Sequence, residues 1–144
     1  MSKCTIGIKK KICVFTLYAE KGASSQYRAY IFKEIFESKF EVQWFRFWSN
    51  RYVEKYMSDK KKYVINIAIE YLINCIKRWY QLMFIVPKSN VLFIQKACIP
   101  KIKSNFLKRA KAKGVRIILV VDDALYLASK DSTDGIAQIA DVVM

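Results

Sequence analysis

Histidine is absent from the 144 residues, and the four cysteines, Cys4, Cys13, Cys75 and Cys98, stand far apart with no C-x-x-C pair. Local sequence therefore builds neither a zinc site nor a thioredoxin-type motif, and reduced thiols are the expectation. Glycine occurs 4 times and proline 2 times, and no Gly/Ser linker, repeat or low-complexity segment interrupts the chain. G-x-G-x-x-G and the Walker lysine pattern are both missing, which counts against dinucleotide binding. The stretch Met1 to Lys11 lacks the apolar core and small-residue cleavage site of a signal peptide, so a cytoplasmic location is expected. Acidic residues are scarce: 12 Asp and Glu stand against 26 Lys and Arg, a net charge of +14. That balance favours anionic partners such as phosphorylated ligands, nucleic acid or an acidic membrane face, without choosing among them.

What the chain does have is apolar substance. Its 53% hydrophobic and 15% aromatic residues argue against disorder, and its length suits one domain spanning 1–144. Lys11 to Leu17, Val91 to Gln95 and Arg116 to Val121 are unbroken branched or aromatic runs, the pattern of strands buried on both faces of a parallel sheet. Phe40 to Trp48 alternates, as an outer strand with one partly exposed face would. Between the strands, Gln26 to Ser38 places Tyr27, Ile31, Ile35, Phe32 and Phe36 at helical spacing. Arg51 to Lys62 suggests a short helix or ordered loop.

Tyr63 to Val86 is long and apolar enough to raise a membrane span, but Glu70, Lys77 and Arg78 interrupt it at a cost that argues against one. Asn66, Glu70, Asn74, Lys77, Arg78 and Gln81 form a polar stripe opposite Ile65, Ala68, Ile69, Leu72, Ile73, Ile76, Trp79 and Met83. The apolar face is expected to pack on the sheet; lying on a membrane surface is the other reading. Pro100 suits the first turn of a helix with Ile102, Phe106, Leu107 and Ala110 inside, closed by Gly114. A helix from Ser132 or Thr133 to Ala140 and the beginning of a strand at Asp141 to Met144 complete the order. Strand and helix alternate about four times, so the expected fold is α/β: a Rossmann-like open, mainly parallel sheet with helices on both faces.

Three loops leave the carboxyl ends of strands, where open α/β sheets bind ligands. Tyr18 to Ser25 contains Gly22, which permits a tight turn, and Ser24 or Ser25, either of which can cap a helix. Arg28 follows one turn later, and together they could receive an anionic group. Gln95 to Pro100 contains Lys96. Asp122 and Asp123 open the third loop and could bind a metal, orient a sugar hydroxyl or bond to the loop backbone. A phosphoacceptor receiver would need its acidic pair after the first strand, where this chain has Leu17-Tyr18-Ala19. Lys9 to Lys11, Lys60 to Lys62 and Lys101 to Lys113 form basic clusters without a nucleic-acid-binding signature.

Taken together, Gly22-Ala-Ser-Ser-Gln-Tyr-Arg28, Val91-Leu-Phe-Ile-Gln-Lys96 with Pro100, and Ile118-Leu-Val-Val-Asp-Asp-Ala-Leu-Tyr126 with Ala140-Asp-Val-Val143 resemble the amino-terminal domain of family-4-type, GT-B-fold glycosyltransferases. Relatives often carry a further Asp two residues before the pair, where this chain has Val120. The resemblance implies transfer of a sugar from a nucleotide-sugar, a co-substrate rather than a cofactor, to a glycan or lipid-linked acceptor. It assigns this chain the acceptor side of a cleft whose other wall is a carboxy-terminal donor-binding domain. Gly22, Ala23, Ser24, Arg28, Lys96, Asp122 and Asp123 would line that cleft, with no metal, and the fragment alone would be inactive. The remaining expectations are a peripheral position on the inner face of the cytoplasmic membrane, no specific nucleic acid, and dimerisation through an open sheet edge. The alternative is a small basic protein docking on anionic lipid or nucleic acid.

Overall fold

The computed structural model describes residues 8–102, 105–121 and 133–144. Five strands form one sheet, β1 (Lys11–Tyr18), β2 (Glu41–Trp48), β3 (Val91–Gln95), β4 (Arg116–Val120) and β5 (Val142–Val143). All neighbours are parallel, in the order β2-β1-β3-β4-β5. The helices are α1 (Ala23–Arg28), α2 (Lys33–Lys39), α3 (Val64–Tyr80), α4 (Leu107–Ala112) and α5 (Thr133–Ile139). This is the expected open α/β sheet, and the inner strands are buried on both faces as their unbroken apolar runs require.

Alternate residues of each strand feed two cores. On one face Cys13, Phe15, Leu92, Ile94, Ile117 and Leu119 pack with Leu82, Leu107, Ala110 and Ile136 from the helical segments after β2, β3 and β4. On the other, Ile12, Val14, Phe93 and Val120 pack with Ala29 and Phe36 from the β1–β2 connection. Helices thus cover both faces. Gly114 at φ +83° closes α4 with a backbone that side chains adopt only under strain. Asp141 fixes the start of β5 by accepting the Ile117 N–H at 2.9 Å and pairing with Lys111 at 3.4 Å. That bond and Lys111 hold its carboxyl below the usual range.

Three helical expectations need correction. Gln26 to Ser38 is not one helix: the backbone breaks at Ala29 (φ −132°), and a short 3-10 turn, Tyr30–Phe32, separates α1 from α2. The break turns Ala29, Tyr30 and Phe36 inward, where Tyr30 stacks on Trp44 at 5.1 Å and Phe36 meets Phe93 at 5.8 Å. Of the expected inner face, Tyr27, Ile31, Phe32 and Ile35 are exposed and Phe36 packs inward. The helix after Pro100 begins only at Leu107, so Ile102 lies outside its packed face.

The largest correction concerns α3. Its exposed side carries Ile65, Ile69, Leu72, Ile73, Ile76 and Trp79, while its inner side carries Tyr71, Cys75 and Arg78. Arg78 is 1% exposed. The reason lies in β2, which among the described residues pairs only with β1 and leaves its other edge with backbone groups to satisfy. Arg78 donates to the Phe45 carbonyl at 3.2 Å, and Glu70 accepts the Ser49 N–H at 2.9 Å. The guanidinium also lies 3.9 Å from the Phe15 ring centre and 5.9 Å from that of Phe47, a stacked cation beneath the helix. An apolar face could not have served that edge.

Candidate functional site at the sheet switch point

β1 and β3 are adjacent, and the chain departs from them in opposite directions, toward β2 on one side and β4 on the other. The loops at their carboxyl ends therefore diverge and open a crevice, the usual ligand position in such sheets. Its floor is a polar network absent from the sequence expectations. Gln95, fully buried at the end of an apolar strand, donates from Nε2 to Ser24 Oγ at 2.8 Å. Its Oε1 accepts the Leu17 N–H at 3.1 Å and the Ser25 hydroxyl at 3.0 Å, and Ser25 Oγ accepts the Tyr18 N–H at 3.0 Å. Every polar atom in this set has work within the protein, so the network fixes both loops to one another. The available signal was a lone glutamine closing Val-Leu-Phe-Ile, where a fifth apolar residue would continue the pattern.

Gly22 and Ser24 lie in the segment after β1, and Lys96 directly follows β3. Gly22 is required by packing: a Cβ there would stand 2.3 Å from Tyr18 Cβ and 3.2 Å from the Ala19 carbonyl oxygen. Neither serine caps α1, whose flanking Gly22 makes no side-chain cap, because Ser25 is already committed to Tyr18 and Gln95. Ala23 is exposed beside Gly22, and Arg28 is exposed in the last turn of α1. Lys96 adopts φ +73°, a left-handed conformation rare for a side-chain-bearing residue, and its N–H donates to the Val120 carbonyl at 2.8 Å. The strain is thus held by the backbone of β4, and it turns the chain sharply as it leaves β3. Asp122 and Asp123 follow β4 but lie outside the described residues.

Burial sets the protonation of groups nearby. Cys98, two residues beyond Lys96, is fully buried and pushed up to about 12 by desolvation. Tyr71 is likewise pushed up to about 12, and its hydroxyl donates to the Pro100 carbonyl at 2.6 Å, tying the loop after β3 to α3. Burial holds Arg78 down to about 10, still a cation at neutral pH. Cys13, Cys75 and Cys98 are free thiols. Among the described residues no three Cys, Asp or Glu side chains converge as a metal would need.

A separate groove of about 820 Å³ runs between β2 and α3, lined by Arg46, Arg51, Glu70, Asn74, Lys77 and Gln81 among others. It borders the outer edge of β2, away from the β1/β3 crevice. Comparison with family models, curated proteins and solved structures finds no match to this chain.

Proposed function

We propose that the chain forms the acceptor-side half of a nucleotide-sugar-dependent glycosyltransferase. The observation that carries the reading is the junction of the β1 and β3 loops: the two segments that resemble the family's loops, Gly22 to Arg28 and Gln95 to Pro100, are joined through Ser24, Ser25 and Gln95 at the switch point. Two roles follow. Gly22 and Ala23 form a small-residue wall against which a phosphate or sugar can lie close to the backbone, while Arg28 and Lys96 supply positive charge for a departing nucleoside diphosphate. Such a crevice holds one side of a substrate; the donor needs a second domain, and Asp122 and Asp123 would orient acceptor hydroxyls or the interdomain loops.

The test is sugar transfer from a panel of labelled nucleotide-sugars to glycan and lipid-linked acceptors, with the chain alone and with a longer polypeptide carrying a following α/β domain. The chain alone is expected to give no turnover and the longer form to transfer. Replacing Arg28 or Lys96 by Ala should lower kcat/KM by tenfold or more, about 1.4 kcal/mol of transition-state stabilisation each. Absence of transfer by the longer form across the panel would refute the reading.

A further inference from the structure

We propose that the outer face of α3 docks on an anionic membrane surface, with the helix lying in the plane of the interface. This stands whether or not the sugar-transfer reading holds, because it rests on different residues. Helical spacing puts Ile65, Ile69, Leu72, Ile73, Ile76 and Trp79 on one stripe, and Ile65, Leu72, Ile76 and Trp79 are 74%, 62%, 68% and 53% exposed. The helix is 17 residues, about 25 Å long, and exposed Tyr80 at its last position and Phe84 beyond it extend the apolar surface. A continuous apolar stripe of this length on a protein surface marks an interaction face.

The charges around the stripe select the occupant. Lys60, Lys61 and Lys62 lead directly into the helix, Lys77 flanks the stripe four residues after Ile73, and Lys88 follows its far end; all five are exposed. The acids in the same region are engaged: Glu70 accepts the Ser49 N–H, Asp59 accepts the Lys62 N–H, and Glu54 pairs with Lys21. An apolar stripe bordered by lysines, with aromatic Trp79, Tyr80 and Phe84 toward one end, matches a helix seated at the headgroup boundary of anionic lipid. A second copy fits worse, since pairing two stripes would bring lysine clusters together with no acid on either stripe to offset them. Among the described residues no helix is long and apolar enough to cross a membrane, so the helix would lie on the surface.

Flotation of the full chain with phosphatidylcholine vesicles, with and without phosphatidylglycerol, tests the proposal. The wild type should float with the anionic vesicles, and its tryptophan emission should shift to the blue, a shift lost in Trp79→Phe. Leu72→Glu with Ile76→Glu changes only exposed side chains; the circular dichroism spectrum should stay that of the wild type while binding weakens at least about tenfold. Changing Lys60, Lys61 and Lys62 together to Gln should weaken binding by a similar factor and flatten its salt dependence. Failure of the wild type to float at low salt would overturn the proposal. So would binding that the two glutamates leave intact, or a dimer in sedimentation that they dissolve, which would make the face a self-interface.

Discussion

At the β1/β3 crevice, polar side chains are buried and matched bond for bond; on the outer face of α3, apolar side chains stand in water. Both invert the simple rule that polar groups face out and apolar groups face in, and they do so for different reasons. Gln95 and Ser25 are inside, with Ser24 half-buried beside them, because two diverging loops need fixing where they part, and hydrogen bonds fix position more specifically than apolar contact. Ile65, Leu72 and Ile76 are outside because the opposite side of the same helix is committed to β2, through Arg78 and Glu70. The crevice is therefore a place where substitution should be costly for the fold, and the outer stripe a place where it should not.

The largest effect is expected at Gly22. Gly22→Ala places a methyl group where Tyr18 Cβ already lies, and should cost about 3 kcal/mol in denaturant unfolding. Gln95→Leu removes the partner of the half-buried Leu17 N–H and of two serine hydroxyls, and a loss of about 2 kcal/mol is expected by the same measurement. A near-zero cost at both positions would erase the contrast with α3.

Lys96→Gly sharpens it in the other direction. Glycine adopts the left-handed backbone freely, so stability should rise by up to about 1 kcal/mol, while sugar transfer by the two-domain form falls. Gain of stability with unchanged activity would make the lysine a purely conformational feature. The smallest effect is a slope with pH. Cys98 and Tyr71 keep their protons in the folded chain up to about 12, against 9.0 and 10.0 ordinarily. Their contribution is intact below about pH 9 and is lost as pH rises toward 12; Arg78 opposes the loss only above about pH 10. Melting temperature should therefore fall between pH 9 and 10, and Cys98→Ala should flatten that fall.

The sheet was legible because buried parallel strands announce themselves as unbroken apolar runs, and Val91 to Gln95 is bounded in the structure as its residues suggest. β2 showed its edge position by alternation. Helical spacing was visible too, but spacing names the apolar stripe without saying what it faces. On α3 the demand of an edge strand for polar partners outweighed apolar burial, and no pattern within the helix carries that demand. The break at Ala29 escaped for a related reason: the Tyr30–Trp44 stack and the Tyr30–Thr16 hydroxyl contact at 3.1 Å join residues distant in the chain. Around the crevice, Gly22, Ser24 and Lys96 are candidates by their place after strands, whereas Gln95 was hidden by belonging to a strand.

The two sides of α3 offer the most direct measurement. Denaturant unfolding of Arg78→Ala beside Ile76→Gln compares a charged residue held inside with an apolar residue held outside on one helix. Arg78→Ala should lose about 3 kcal/mol through its stacking on Phe15 and its bond to Phe45, and Ile76→Gln should stay within about 0.5 kcal/mol of the wild type. A larger loss from Ile76→Gln than from Arg78→Ala would contradict the orientation of the helix and the docking face built on it.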